Sequence, residues 1–172
     1  IRTTDKKHEE NVKKIIKKIL EKGDIYKGTY KGLYCIPCES YWTEKDLINE
    51  KCPACSREVK EIEEDAYLFR LSKYENKLLE LYEKNPSFLL PDFRRNEVVN
   101  IVKKGLKDIS FTRSKFKWGG EFPADKNFVL WVWPDALISY LSGIGWPDGK
   151  NFKRFWPVDV HLIGKDIIFF HT

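Results

Sequence analysis

The sequence predicts an α/β protein in which a small cysteine-rich module interrupts a sheet of parallel strands. Three observations support this prediction: helical periodicity near the start of the chain, four cysteines paired as two C-x2-C units, and a strand–helix–strand pattern near its end. A chain of 172 residues is long enough to bury a hydrophobic core. The 42% hydrophobic residues are ordinary for a globular protein, and no run of about 18 apolar residues is present. Composition therefore argues against a membrane-spanning protein.

Charge and terminal features restrict the function less than composition does. A net charge of +5 is compatible with a polyanionic partner but does not require one. The first residues show no secretory-signal pattern, which favours a cytoplasmic location. The chain begins at Ile1 and contains no methionine, so we expect a piece of a longer protein.

The first predicted element is a helix from His8 to Lys22. Asp5 is the candidate N-cap residue and Gly23 the candidate residue that ends the helix. Four lysines flank its apolar stripe, either as a solvated face or as an RNA-binding surface: Lys13, Lys14, Lys17 and Lys18. The stripe itself has the spacing of one buried helix face and consists of Val12, Ile15, Ile16, Ile19 and Leu20.

The middle of the chain is predicted as short strands flanked by helices. Residues 24–66 lack helical periodicity and place the cysteines among aromatic and β-branched residues, which indicates strands and turns. The leucines that begin at Leu68 predict a second helix that ends near Asn85-Pro86. Val98, with the apolar residues that follow it, predicts a third helix that ends near Gly105.

The last third predicts a strand, a helix and a second strand. Residues 128–133 form a β-rich apolar run, residues 135–142 are helical in pattern, and residues 158–163 form a second apolar run that ends at Gly164 before a new helix. Two strands joined by a crossover helix predict a parallel pair in a Rossmann-like sheet.

Ligands of such sheets bind beyond the carboxyl ends of the strands. Those ends lie at residues 133–135 and 164–166, which makes these positions candidates for a binding site. The same division of the chain predicts two parts. Residues 1–107 would form an inserted subdomain with its knuckle at about 30–58, and residues 108–172 would form part of a Rossmann-like domain.

The cysteine spacing predicts one structural zinc ion bound by four thiolates. Each C-x2-C unit places two sulfurs on one tight turn, and thiolates at about 2.3 Å complete a tetrahedron around zinc. Disulfides are disfavoured in a reducing compartment, and scattered buried thiols would not show this spacing. Four sulfur ligands leave no open coordination position, so the ion would stabilise the fold and not catalyse. The ligands are Cys35, Cys38, Cys52 and Cys55.

Taken together, an ordered series of motifs resembles the methionyl-tRNA synthetases of class I. The series covers nearly the whole chain, and its order is more specific than any single string. In the first part it consists of Arg2-Thr-Thr-Asp5 with His8, Gly23-Asp-Ile-Tyr-Lys-Gly28, Tyr30-Lys-Gly-Leu-Tyr-Cys35, Cys38-Glu39 and Cys52-Pro53. In the second it consists of Phe69-Arg-Leu-Ser-Lys-Tyr74, Asn96-Glu97, Asp108-Ile-Ser110, Arg113, Trp118-Gly119, Val132-Trp-Pro-Asp-Ala-Leu137 and Asp159-Val-His-Leu-Ile-Gly-Lys-Asp166.

The resemblance implies a reaction and its participants. ATP and methionine would form methionyl-adenylate with release of pyrophosphate, and the methionyl group would pass to the 3′ end of tRNA(Met); Mg²⁺ would accompany ATP, and no DNA partner is implied. The His-Ile-Gly-His and Lys-Met-Ser-Lys-Ser signatures of the family are absent from this sequence. The 172-residue chain alone is therefore expected to be inactive.

The resemblance also assigns site residues. Arg113 corresponds to an arginine near the reacting phosphates, although a surface salt bridge would also explain it. Gly164 and Asp166 match the site for the ATP ribose. Pro134 departs from the Phe or Leu that is usual in its motif and lies beside the expected pocket. The methionine pocket would be lined by Trp133, Tyr140, Phe170 and His171, and ordinary core packing is the alternative for the first two.

Two other functions remain open from the sequence. The chain could be a zinc-containing module that binds the tRNA acceptor stem, or an architectural insertion that braces a catalytic sheet. Binding to tRNA that weakens with salt would separate the first from the second.

Overall fold

A computed structural model describes residues 1–38, 40–42, 44, 47–115 and 117–172. Glu39, which belongs to one of the resemblance motifs, lies outside the described residues. The α/β class is confirmed, with six helices and six strands named among the described residues. No helix in this described part is long and apolar enough to cross a membrane.

The first helix, α1, spans Lys6–Glu21 and confirms the predicted apolar face. Asp5 precedes it in extended conformation, and its backbone carbonyl accepts hydrogen bonds from the N–H groups of His8 and Glu9 at 2.8 and 3.0 Å. Its carboxylate does not cap the helix. Gly23 follows with a φ of +72°, a left-handed conformation that glycine adopts without strain.

The cysteine-rich part is built on one long antiparallel hairpin. Strands β1 (Ile25–Cys35) and β3 (Lys60–Phe69) pair along almost their whole length, with Tyr30 opposite Glu64. Strand β2 (Ser40–Trp42) pairs with the C-terminal end of β1, and β4 (Ile109–Ser110) pairs with the C-terminal end of β3. The strand order is therefore β2-β1-β3-β4.

The predicted start of the second helix at Leu68 is wrong. Leu68 belongs to β3, where Glu64, Ala66 and Leu68 are buried at alternate positions, as expected of a strand. A 3-10 helix at Leu71–Tyr74 then leads into α2 (Glu75–Lys84), and α3 (Asp92–Lys103) follows. The predicted ends near Asn85 and Gly105 are confirmed, since Gly105 has a φ of +96°.

The last third contains less strand than predicted. Strands β5 (Thr112–Arg113) and β6 (Val129–Leu130) form an antiparallel pair, so the predicted strand 128–133 is shorter. Helix α4 (Val132–Gly143) begins three residues early, and Pro134 fits in its first turn because N–H groups there have no partner within the helix. The short helices α5 (Lys150–Phe155) and α6 (Ile168–His171) complete this part.

The predicted strand 158–163 does not form. No described segment pairs with it, and a strand needs a neighbour to satisfy its backbone hydrogen-bonding groups. Most of its apolar side chains are exposed, with Val160 70% and Leu162 96% accessible. The predicted parallel pair is consequently absent from the described residues.

Two hydrophobic clusters among the described residues stabilise the fold. One joins α1, β1 and α4 through residues that include Ile16, Phe122 and Ile138, so α1 packs against an element on the far side of the predicted division at residue 107. The other joins α2, α3 and α6, with Tyr82 and Ile168 among its members. The division into two parts stays a prediction.

Candidate functional site

The four cysteines converge at the tip of the hairpin. Their sulfurs all lie within 4.8 Å of one another. The Sγ atoms of Cys35 and Cys55 are 3.5 Å apart, and those of Cys38 and Cys52 are 3.9 Å apart. Sulfurs at about 2.3 Å from one tetrahedral zinc ion lie about 3.8 Å from one another, so this arrangement fits a four-coordinate metal.

Local turns bring the second C-x2-C unit into position. Asn49 and Glu50 have φ of +51° and +61°, the pattern of a two-residue hairpin turn that twists in the same sense as its strands. The backbone N–H of Cys52 donates to the carbonyl of Arg57 at 2.9 Å, and the N–H of Ser56 donates to the carbonyl of Cys52 at 2.8 Å. These bonds fix the loop that carries both thiols.

The thiols differ in their readiness to lose a proton. Burial opposes ionisation of Cys52, but hydrogen bonds from the backbone N–H groups of Ala54 and Cys55 and from the thiols of Cys35 and Cys55 together outweigh it and lower the pKa of Cys52 to about 7. The hydrogen bond with Cys55, together with burial, raises the pKa of Cys38 to about 12. Four negative charges cannot share this small volume, so a full thiolate set requires a cation.

The four predicted methionine-pocket residues meet at the contact of α4 with α6. The rings of Trp133 and Phe170 are stacked, with 3.8 Å between centroids and 5° between planes. The hydroxyl of Tyr140 lies 3.0 Å from Nε2 of His171. Trp133 and Tyr140, which are seven residues apart on α4, thus contact the adjacent residues Phe170 and His171 of α6, respectively.

Hydrogen bonds determine the state of the His171 ring. Its Nδ1 lies 2.9 Å from the carbonyl oxygen of Ile167 and must carry the proton, because a carbonyl only accepts. In the neutral ring Nε2 therefore accepts the Tyr140 hydroxyl. His161, which we did not predict as a site residue, packs its ring 4.9 Å from that of Tyr140. Its position in a run predicted as a strand gave no signal for this contact.

Gly164 and Asp166 lie on the turn that enters α6. Gly164 is extended, and its carbonyl accepts the N–H of Ile167 at 3.2 Å to begin a 3-10 helix at Lys165–Ile167. Asp166 is exposed and has no hydrogen-bonding or ionic partner among the described residues. Its carboxylate is thus accessible to a ligand.

Arg113 is held inside the protein. Its guanidinium carbon lies 3.4 Å from the centroid of the Trp131 ring. Its Nη1 donates to the Ser110 hydroxyl at 3.0 Å and to the Thr112 carbonyl at 3.1 Å. Nε lies 3.9 Å from a carboxylate oxygen of Glu64, and both side chains are almost fully buried. The alternative of a salt bridge therefore differs from the structure only in its location, because the ion pair with Glu64 is internal and not on the surface.

A cavity of about 570 Å³ borders Arg113. Trp118 stands at its edge and is 84% exposed, and Asp135, which contacts His8 at 2.9 Å, contributes part of the wall. Trp131 was missed by sequence reasoning, which assigned the run 128–133 to one strand. The other lining residues include Thr3, Thr4, Glu9, Lys117 and Val132.

Two of the four lysines that flank the apolar stripe of α1 have partners among the described residues. Lys13 donates to Glu121 at 2.6 Å, and the Lys18 ammonium lies 5.2 Å from the ring centroid of Trp146. These contacts favour the interpretation as a solvated face. The two lysines of this face without such partners among the described residues are Lys14 and Lys17.

Comparison with known proteins identifies relatives over the whole chain. The family model described as tRNA synthetases class I (M) matches residues 1–64 and 56–172. The methionine--tRNA ligase of Caldanaerobacter subterraneus is 52% identical over 100% of this chain and 27% of its own length. That of Thermotoga maritima is 52% identical over 100% of this chain and 28% of its own length.

A solved structure agrees with these relatives. Mycobacterium tuberculosis methionyl-tRNA synthetase bound by methionyl-adenylate has a TM-score of 0.91 at 43% identity, covering 99% of this chain and 35% of that one. The chain spans about a quarter of the length of the curated relatives it matches. Because the match in sequence and fold runs from end to end, the chain belongs to the class I (M) family of tRNA synthetases.

Proposed function

We propose that the protein containing this chain activates methionine with ATP and transfers the methionyl group to tRNA(Met). The observation that carries the proposal is the meeting of the stacked pair Trp133–Phe170 with the hydrogen-bonded pair Tyr140–His171. The family relationship supplies the reaction class: adenylate formation with release of pyrophosphate, followed by transfer to the 3′ end of the tRNA.

The aromatic group suits a thioether side chain. Contact between a methionine sulfur and an aromatic ring is favourable by about 0.3–1.5 kcal/mol. The Trp133–Phe170 stack offers a flat apolar wall, and Tyr140 and His171 add polar groups beside it. An apolar wall of this kind disfavours charged side chains, because they would lose their hydration.

The nucleotide would occupy the neighbouring exposed turn. The space beside Gly164 is open, since an added Cβ would have only Ile167 within 4 Å, at 3.9 Å, so a ligand can approach this backbone. The exposed Asp166 carboxylate can accept hydrogen bonds from ribose hydroxyls. Arg113 supplies a fixed positive charge for phosphate oxygens, and Mg²⁺ would accompany ATP. Oriented charges of this kind stabilise a transition state without reorganising.

The cysteine site would hold structural zinc. Cys35, Cys38, Cys52 and Cys55 have the number, softness and spacing of ligands that zinc requires. A complete sulfur shell leaves no place for substrate, so the ion would stabilise the hairpin tip. Within the protein we assign residues 1–107 to this inserted subdomain and 108–172 to part of the catalytic domain, and we place the protein in the cytoplasm.

Methionine-dependent exchange of pyrophosphate into ATP by the full-length protein tests the proposal. We expect exchange with methionine, much weaker exchange with leucine, and charging of tRNA(Met). The 172-residue chain should show neither activity. Exchange that prefers another amino acid would refute the methionine assignment, and no exchange with any amino acid would refute the reaction.

A further inference from the structure

We propose that Glu64 is a positioning residue that orients the guanidinium group of Arg113 toward the reacting phosphates. The inference rests on the proposed function, in which Arg113 acts on those phosphates. It assigns a role to a carboxylate that lies in the cysteine-bearing hairpin and that the motifs did not single out.

Glu64 is an unusual residue for its place in the sheet. It lies near the middle of β3, directly opposite Tyr30 of β1, and its side chain is only 3% exposed. A buried carboxylate is costly unless an opposite charge and hydrogen bonds compensate it. Both are present: Nε of Arg113 lies 3.9 Å from Oε1, and the Ser114 hydroxyl lies 3.4 Å from Oε2.

The contacts of Arg113 fix the plane of its guanidinium group. Trp131 covers one face at 3.4 Å, and Ser110 and Thr112 hold Nη1 at the edge. The Glu64 carboxylate lies on the Nε side of the group. Contacts on one face and at two parts of the edge keep the guanidinium group in one orientation. Arg113 also borders the cavity of about 570 Å³. Such preorganisation is how a fixed cation aids phosphoryl chemistry.

Glu64 is the carboxylate suited to this role. Tyr30, which lies opposite Glu64, cannot supply the negative charge that pairs with Arg113. Burial raises the pKa of the Tyr30 phenol and outweighs the opposing effect of the Arg113 charge, so Tyr30 stays neutral at pH 7. Asp135 borders the same cavity, but one of its carboxylate oxygens is engaged with His8 at 2.9 Å. Replacing Glu64 by a neutral residue would remove the opposite charge on the Nε side of the guanidinium group.

This placement links the hairpin to the catalytic side of the molecule. The N-terminal end of β3 lies next to the cysteine cluster, and its C-terminal end pairs with β4. Glu64 lies between these two ends of the strand. The register of β1 with β3 therefore decides whether Glu64 faces Arg113. A slip of one residue would turn the carboxylate to the opposite face of the sheet.

The test uses four variants of the full-length protein in methionine-dependent pyrophosphate exchange: Glu64→Gln, Arg113→Ala, the double variant, and Glu63→Gln as control. Glu63 is the exposed neighbour on the same strand. We expect Glu64→Gln to lower kcat about tenfold, with less than a twofold change in KM for methionine. Glu63→Gln should match the parent. In the Arg113→Ala background, Glu64→Gln should cause no further loss.

The outcomes separate the proposals. An inactive parent protein refutes the proposed function. If the parent is active and Arg113→Ala lowers kcat but Glu64→Gln does not, the role of Glu64 is refuted. The role is also refuted if Glu64→Gln lowers kcat by the same factor with and without Arg113. A normal Arg113→Ala variant also overturns the inference. If Glu64→Gln fails to fold, Glu64→Asp replaces it, and its kcat should fall only in the presence of Arg113.

Discussion

Trp133 and Phe170, which are 37 positions apart in the sequence, lie face to face with 3.8 Å between their ring centroids. The first is in the opening turn of α4, and the second is in the short helix α6, which also packs Ile168 into the second hydrophobic cluster. The stack therefore depends on the docking of α6. A four-residue helix has little stability of its own, so tertiary contacts must hold it in place.

Phe170→Ala should weaken methionine binding. The change removes a stacked ring, worth about 0.5–1.5 kcal/mol beyond its buried area, and an apolar wall of the proposed pocket. We expect KM for methionine in pyrophosphate exchange to rise about tenfold, with KM for ATP nearly unchanged. Phe169→Ala is the matched control, since Phe169 is the adjacent ring on α6 and is 45% exposed. Equal effects of the two variants would contradict the assignment of Phe170 to the pocket.

Asp166→Asn should act on ATP and not on methionine. The carboxylate is exposed, and the proposal gives it hydrogen bonds from ribose hydroxyls. A hydrogen bond to a charged group contributes about 1.5–3 kcal/mol, so KM for ATP should rise about 10- to 100-fold. Asp159→Asn, at another exposed aspartate a few residues earlier, should leave both KM values unchanged. A rise in KM for methionine alone would contradict the assignment.

The proximity of the candidate site residues was more predictable from sequence than the sheet around them. The C-x2-C spacing specifies convergent sulfurs, because each pair is placed by its own local turn. The resemblance placed Trp133, Tyr140, Phe170 and His171 together, and the structure brings them into contact. These predictions depend on residue identity at particular positions and only weakly on the remainder of the fold.

The wrong predictions of strand and helix positions share a physical cause, because a strand forms only where another strand pairs with it. Residues 158–163 have the composition of a buried strand but no described neighbour to pair with. Leu68 fitted a helical spacing, but ten backbone pairs between β1 and β3 override that preference. The burial of Arg113 and Glu64 was equally hidden, since charged residues on a strand normally face solvent.

Removal of the metal should open the hairpin tip before the rest of the protein. The four thiols carry the proposed zinc, and metal binding to such a small module contributes to its folding free energy. In Cys52→Ser, or after strong chelation, amide hydrogen exchange should accelerate about tenfold or more in residues 30–58, while α1 and α4 stay protected. Lys51→Ser introduces the same residue one position earlier and should bind metal normally. Unchanged protection after proven metal loss would show that the ion is not structural.

Acid should destabilise the junction between α1 and the 3-10 helix through Asp24. Lys73 and Tyr74 donate hydrogen bonds to its two carboxylate oxygens at 2.5 and 2.6 Å and lower the pKa of Asp24 below its usual 3.8. A carboxyl group with a lowered pKa in the folded state binds its proton more readily in the unfolded state. Its contribution is complete above the unfolded pKa and is lost as pH falls from there through the folded value.

Asp24→Asn should therefore flatten the acid limb of the stability curve. We expect urea unfolding between pH 7 and pH 2.5 to show a lower free energy of unfolding at neutral pH and a smaller loss on acidification than in the parent. Asp65→Asn is the control, since Asp65 is an exposed carboxylate on β3. A parallel downward shift of the whole curve in Asp24→Asn would mean that the side chain matters through packing. In that case the hydrogen bonds from Lys73 and Tyr74 would not be the source of the pH dependence. Loss of the ionisable Asp24 carboxyl group must change how steeply the free energy of unfolding varies with pH, and not only its value.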